Sequence, residues 1–178
     1  MMGARIRNAD GRDRDAIVAV TLAAYQQYAS VMPHLWEGYR ENIVSTLAAA
    51  SPGTRIVAEK DGHIVGSVLL YPAGTVIGRA SGGSTTLPLP EVRLLAVAPS
   101  VRGQGIGALL MDECVRRARE SGARALTLHT TEMMQAAVRL YSRMGFQRAP
   151  ELDFQVAPEV VVKGYRLDLR RADQPSPS

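Results

Sequence analysis

Residues 91–110 read EVRLLAVAPSVRGQGIGALL. Glu91–Val97 is an apolar, β-prone run of strand length that ends before Pro99. Gly103, Gly105 and Gly107 follow at alternate positions, and an apolar run of helical spacing begins at once. Glycine costs about 0.5–1 kcal/mol relative to alanine inside a helix, so three of them at a helix start call for a physical reason. An anion supplies one. The first N–H groups of a helix lack intrahelical partners, and the helix dipole adds partial positive charge there. Residues without a Cβ let a phosphate reach that backbone.

Two common phosphate motifs do not fit. A P-loop needs Lys-Ser/Thr where Ala108-Leu109 stands. The dinucleotide spacing is present as Gly103-x-Gly105-x-x-Ala108, but the next strand ends at His129 with no acidic residue to hold a ribose. A tight turn with no ligand is the plain alternative.

Working outward, Ala4–Arg7 reads as a first strand. Asp10 is an N-cap, with Asp13 and Asp15 where a helix start favours negative charge. Ile17, Val20, Ala24 and Tyr28 keep helical spacing over about four turns until Pro33. A second helix is expected over Leu35–Ala50, ending at Ser51-Pro52-Gly53. Thr54–Lys60 and Ile64–Tyr71 are strands joined by the tight-hairpin signal Asp61-Gly62. Pro72–Pro90 reads as a long loop with a short strand at Thr75–Ile77. Beyond the glycine segment, the helix runs to Glu120 and is capped by Gly122. Ala125–His129 is a strand, and Met133–Met144 a helix with Gly145 as its cap and Phe146 packing back. Gln147–Asp153 and Val160–Leu169 are the last strands. One α/β (α+β) domain over 1–170 is expected, with a flexible polar tail at 171–178.

Composition excludes several classes of function. With 46% hydrophobic and 21% charged residues the 178-residue chain is globular rather than disordered. The net charge of +4 and pI of 9.6 favour anionic ligands. The arginines are spread along the chain and only two Phe and one Trp are present, which argues against a nucleic-acid partner. No apolar run is long enough to cross a bilayer, and the N-terminus lacks a signal-peptide stretch, so a cytoplasmic protein without a membrane partner is expected. Cys114 is the single cysteine; its spacing to Leu110 and Ala118 makes it helix core rather than a nucleophile. His34, His63 and His129 lack metal-ligand spacing, so no metal is expected.

Arg102-Gly103-Gln104-Gly105-Ile106-Gly107 follows the pattern Arg/Gln-x-x-Gly-x-Gly/Ala of the GNAT superfamily of acyl-CoA N-acyltransferases. Leu140-Tyr141-Ser142-Arg143-Met144-Gly145-Phe146 is similar to that family's LYxxxGF segment. The element order resembles the GNAT order over roughly residues 4–169. The resemblance implies a mixed central sheet, splayed between its fourth and fifth strands, with helices on both faces. It implies acetyl-CoA as cosubstrate, with its pyrophosphate on the amides of Arg102, Gly103, Gln104, Gly105, Ile106, Gly107 and Ala108. The pantetheine arm would pair with the backbone of Leu95, Ala96 and Val97, where the strand splays at a bulge. The Val97 amide would face the thioester oxygen.

By the same resemblance, Tyr141 is the candidate general acid for the departing thiolate. Helical spacing alone, in a stripe with Ala137, Leu140 and Met144, would make it plain core. Glu91 is the candidate base that takes a proton from an ammonium acceptor; a solvent-exposed strand-end glutamate is the alternative. Arg93 lies on the same strand face and could pair with Glu91 or bind an anionic substrate group. Many relatives carry an asparagine where Met134 stands, so that contact to the cofactor is missing or is supplied by Thr130 or Thr131 instead. Tyr25, Tyr28, Trp36 and Tyr39 fall in the region that walls the acceptor pocket in relatives, and also fit packing against the sheet. The expected reaction is direct acetyl transfer to a primary amine on a small molecule or peptide, in a possible homodimer. A non-catalytic acyl-CoA-binding regulator and a nicotinamide oxidoreductase are the rival readings.

Overall fold

The computed structural model describes residues 3–49, 52–78 and 82–170. In chain order these form β1 (Arg5–Asn8), α1 (Arg14–Tyr25), α2 (Trp36–Ala48), β2 (Thr54–Lys60), β3 (His63–Tyr71), β4 (Val76–Gly78), β5 (Ser84–Thr86), β6 (Glu91–Val97), α3 (Ile106–Glu120), β7 (Ala125–Thr130), α4 (Gln135–Arg143), β8 (Gln147–Arg148), β9 (Phe154–Ala157) and β10 (Val160–Asp168). They divide into two compact units. Among the described residues, those up to Tyr71 together with Val92–Cys114 form one, and those from Pro72 to Glu91 and from Val115 to Arg170 form the other.

In the first unit β1, β2 and β3 pair antiparallel in sequence order. Asp61 (φ 50°) and Gly62 (φ 77°) both take the left-handed conformation that a tight β2–β3 hairpin demands. Asp10 caps the chain's entry into α1: its carboxylate accepts from Arg12 N–H, while Asp13 accepts from Asp10 N–H at 2.8 Å. A core of Ile17, Ile43, Leu47 and Val57 fills the space between α1, α2 and β2. Arg55 on β2 donates to the Leu47 and Ala49 carbonyls at the end of α2. Gly66 on β3 leaves room for the Ala96 carbonyl and for the Ile106 and Leu110 side chains, so the start of α3 seats directly on β3.

In the second unit β10 pairs antiparallel with β7, from Lys163 opposite Thr130 to Asp168 opposite Ala125. Its other edge takes β8 and β9. Gly122 (φ 76°) ends α3, and Gly145 (φ 89°) ends α4 with Phe146 N–H returning to the Tyr141 carbonyl.

Several expected boundaries move. The first strand is Arg5–Asn8 rather than Ala4–Arg7, and α1 is split from a short 3-10 turn at Gln26–Tyr28. The second helix ends at Ala48; Ala50 and Ser51 lie outside the described residues. Gln147–Asp153 is not one strand. Pro150 turns the chain into a 3-10 turn over Pro150–Leu152 and leaves β8 and β9 on either side. Pro72–Pro90 is not a bare loop: β4 and β5 pair with each other, and Gly74 N–H bonds the Leu87 carbonyl at 2.7 Å. The short strand expected at Thr75–Ile77 is β4, one residue along, whereas β5, built of Ser and Thr alone, carries too little pattern to be read from sequence. The expected tail at 171–178 lies outside the described residues.

Candidate active site

The glycine turn is built as an open cradle. Gly103 (φ 77°) and Gly105 (φ 78°) are both left-handed, and a Cβ on either would meet nothing within 4 Å. Gly107 is already inside α3. The Gly105 carbonyl accepts from Leu109 N–H at 3.1 Å, so the amides of Ile106, Gly107 and Ala108 precede the first helical bond of α3. The Ile106 side chain is buried core; only its backbone serves the turn. Lys60 Nζ donates to Gln104 Oε1 at 2.7 Å, which puts a cation beside the turn. Nothing in the local sequence pairs residues 44 positions apart; the β2–β3 hairpin brings them together. Arg102 is turned away to α1, where Nη2 donates to the Ala24 carbonyl at 2.9 Å and Nη1 to Gln27 Oε1 at 3.4 Å.

Upstream, β6 contains a backbone irregularity. Leu94 sits at φ 51° in the middle of an otherwise extended strand, the left-handed conformation that γ-branched residues seldom adopt. Its side chain packs against the Ile17–Ile43–Leu47–Val57 core, which offsets the strain. The Leu95 carbonyl accepts from Tyr25 Oη at 3.2 Å, and Ala98 N–H reaches the Val65 carbonyl at 2.8 Å. Ala96 is buried and Val97 half-buried. The early aromatic residues pack edge-on: Tyr25 meets Tyr28 and Tyr39 with centroids 5.9 Å apart, and Trp36 meets Tyr39 at 6.3 Å. Burial pushes the Tyr28 and Tyr39 phenols above the usual range. Arg93 places its guanidinium over the Tyr71 ring, 5.6 Å from the centroid.

In the second unit Glu91 is buried, with a side-chain exposure of 3%, which removes the exposed strand-end alternative. Its Oε2 lies 3.4 Å from His129 Nδ1. Thr127 ties β7 to the residue before Glu91, since its N–H and its hydroxyl both donate to the Pro90 carbonyl at 3.0 Å. Thr130 and Thr131 are buried, and their hydroxyls have no hydrogen-bond partner in the structure. A buried polar group left unpaired costs about 1–3 kcal/mol, so the two hydroxyls are suited to a ligand. Met134, at the start of α4, is buried core. Tyr141 is 6% exposed, with its ring 5.9 Å from Phe146. Cys114 is fully buried in α3, as its spacing predicts. Among the described residues no group of His, Cys, Asp and Glu could hold a metal ion, and no helix is long and apolar enough to cross a membrane.

Residues 21–146 match the acetyltransferase (GNAT) family. The chain belongs to this family. The mycothiol acetyltransferase of Acidothermus cellulolyticus is 29% identical over 140 residues, which are 77% of this chain and 42% of that protein. The chain thus spans under half the length of the mycothiol acetyltransferases it matches. A GNAT-family acetyltransferase from Staphylococcus aureus Mu50 superposes with a TM-score of 0.65 at 18% identity, over 94% of this chain and all of that one. A Brucella melitensis GNAT acetyltransferase, solved in complex with acetyl-CoA, gives 0.59 at 23% identity, over 98% of this chain and 93% of that one. The residues present fit the GNAT cosubstrate: an unobstructed left-handed glycine turn ahead of a long helix suits a diphosphate, and buried unpaired hydroxyls suit a polar ligand.

Proposed function

We propose that this GNAT chain is an acetyl-CoA-dependent N-acetyltransferase that acts directly on a primary amine. The observation that carries it is the Gly103–Gly105 turn, which leaves the start of α3 open to a diphosphate. The amides from Arg102 to Ala108 hold the pyrophosphate, and Lys60 adds positive charge beside them. The Arg102 side chain serves α1, so its share in binding is through its backbone. Leu95, Ala96 and Val97 offer backbone to the pantetheine arm next to the Leu94 irregularity. Thr130 is the hydroxyl contact that compensates for Met134.

Acetyl-CoA supplies an activated acetyl thioester. The chain's own residues do the rest. Glu91 takes a proton from the incoming ammonium so that the nitrogen has a lone pair for attack. The Val97 N–H donates toward the carbonyl oxygen as negative charge grows there. Tyr141 donates its phenolic proton to the departing sulfur. No protein nucleophile is required, in keeping with the burial of Cys114.

The test is CoA thiol release with acetyl-CoA and a panel of primary amines. Turnover with one or more amines is expected. Saturable acetyl-CoA binding without turnover on any amine would make the chain a regulator. A melting shift with NAD but none with acetyl-CoA would overturn the whole reading.

A further inference from the structure

His129 is absent from the roles assigned so far, yet its surroundings hold it against Glu91. Its Nε2 lies 2.9 Å from the Leu152 carbonyl. A carbonyl only accepts, so Nε2 carries the proton, and Nδ1 is the nitrogen whose proton comes and goes. Nδ1 faces Glu91 Oε2 at 3.4 Å and has no hydrogen-bond partner in the structure.

The ring has little freedom. Gly164 stands opposite His129 in the β7–β10 register, and a side chain there would run into Leu152. The glycine thus lets the Pro150–Leu152 turn come close enough for the Leu152 carbonyl to meet the imidazole. Asp153 fastens that turn, accepting from Gly164 N–H at 2.8 Å and from both terminal nitrogens of Arg148 at 2.9 and 2.8 Å. Phe154 packs edge-on against the imidazole, with ring centroids 5.2 Å apart. The other charged groups around the ring have partners of their own: Lys163 pairs with Glu132, Arg148 with Asp153, and Arg166 with Glu151. Thr130 and Thr131 beside it are neutral. With Nδ1 unprotonated, its lone pair confronts a carboxylate oxygen, and two acceptors repel. A proton placed between them turns the repulsion into an ion pair between a buried carboxylate and a partly buried imidazole.

We propose that His129 is a positioning residue that shares a proton with Glu91, so that the proton Glu91 removes from the acceptor ammonium passes on to His129 Nδ1. The inference rests on Glu91 being the base of the acetyl transfer. In the step, an ammonium N–H bond breaks and an O–H bond forms at Glu91. That O–H bond then breaks as N–H forms at Nδ1. The products are free amine, carboxylate and imidazolium, and water later takes the proton from the imidazolium.

Two measurements on the full chain test it. The first needs no turnover: the 15N signals of His129 are followed against pH in the wild type and in Glu91→Gln. The Nε2–H tautomer is expected for the neutral ring, and Glu91→Gln is expected to weaken proton binding at Nδ1 tenfold or more. The Nδ1–H tautomer, or a titration that Glu91→Gln leaves in place, overturns the pair. The second is the pH profile of kcat/KM in wild type and His129→Gln. The acid limb is expected to move down by a pH unit or more, with the KM for acetyl-CoA unchanged. A lowered rate with the limb unmoved would reduce His129 to packing and overturn the relay. Absence of CoA release from the wild type with every amine would instead strike the acetyltransferase reading, and the nitrogen titration would still decide the pair.

Discussion

Arg102 Nη2 donates to the Ala24 carbonyl at 2.9 Å, so the arginine that opens the glycine turn also closes α1. Arg55 does the same for α2 through the Leu47 and Ala49 carbonyls. A guanidinium suits the end of a helix, where several carbonyls lack partners and the dipole is negative. Arg102→Ala is therefore expected to lower stability by about 1 kcal/mol, the net worth of such a hydrogen bond. Acetyl-CoA affinity is expected to fall only a few fold, because the amides of the turn remain. Thermal unfolding with and without acetyl-CoA separates the two effects. An unchanged melting temperature in the ligand-free variant would show that the clamp carries no stability.

Gly105→Ala attacks the same turn from the backbone. At φ 78° a Cβ meets no neighbour, so the cost is conformational rather than steric crowding, about 1–2 kcal/mol. The added methyl also stands on the open side of the turn. The acetyl-CoA-induced melting shift is expected to shrink strongly in Gly105→Ala and to vanish in Gly105→Glu, where a negative charge replaces the ligand's. A full shift in Gly105→Glu would falsify the diphosphate site.

The parts of this fold that were legible in the sequence are those where local chemistry dictates the backbone. The limits of β2 and β6 were read without error, and Asp61-Gly62 announced its hairpin, because pattern and turn residues agree there. The glycine turn was legible for the same reason. Leu94 was not, since a left-handed leucine has no residue signature and is held in place by tertiary packing. Lys60 was opaque in a different way, since only the β2–β3 hairpin brings it to Gln104. His129 was legible as the end of a strand, but its contact with the Leu152 carbonyl, which depends on the close approach of Gly164 to Leu152, was not. Glu91 carries one of the 17 acidic side chains of the chain, and only the structure distinguishes it by burial.

Tyr141→Phe isolates the phenol. Tyr141 is buried with its ring against Phe146, so the ring itself must stay to keep α4 packed. Phenylalanine keeps that ring and removes only the hydroxyl. kcat for acetyl transfer is expected to drop by about 100-fold, the usual worth of a positioned proton donor, while the dissociation constant for acetyl-CoA stays within a few fold. Single-turnover kinetics and equilibrium binding measure the two separately. Equal losses in both would mean that Tyr141 shapes the cosubstrate site rather than donating a proton.

Asp13 is a carboxylate held in its charged form by the fold of the first unit. Its carboxylate accepts from Arg7 at 2.6 and 3.0 Å and from Asp10 N–H at 2.8 Å, and these bonds hold its pKa down to about 2 from 3.8. Arg7 also reaches Glu59, so one guanidinium joins β1, β2 and the entry to α1. A carboxyl whose folded pKa lies below its unfolded value stabilises the fold fully above the unfolded value, and that gain is lost as pH falls through the folded one. The wild type is therefore expected to lose stability progressively between about pH 4 and pH 2. Asp13→Asn keeps the size of the side chain and removes its charge. It is expected to be about 1–3 kcal/mol less stable at pH 7 and to show a flatter decline across that window. Denaturant unfolding of both proteins at a series of pH values measures it, and parallel curves below pH 4 would assign the acid sensitivity to other carboxylates.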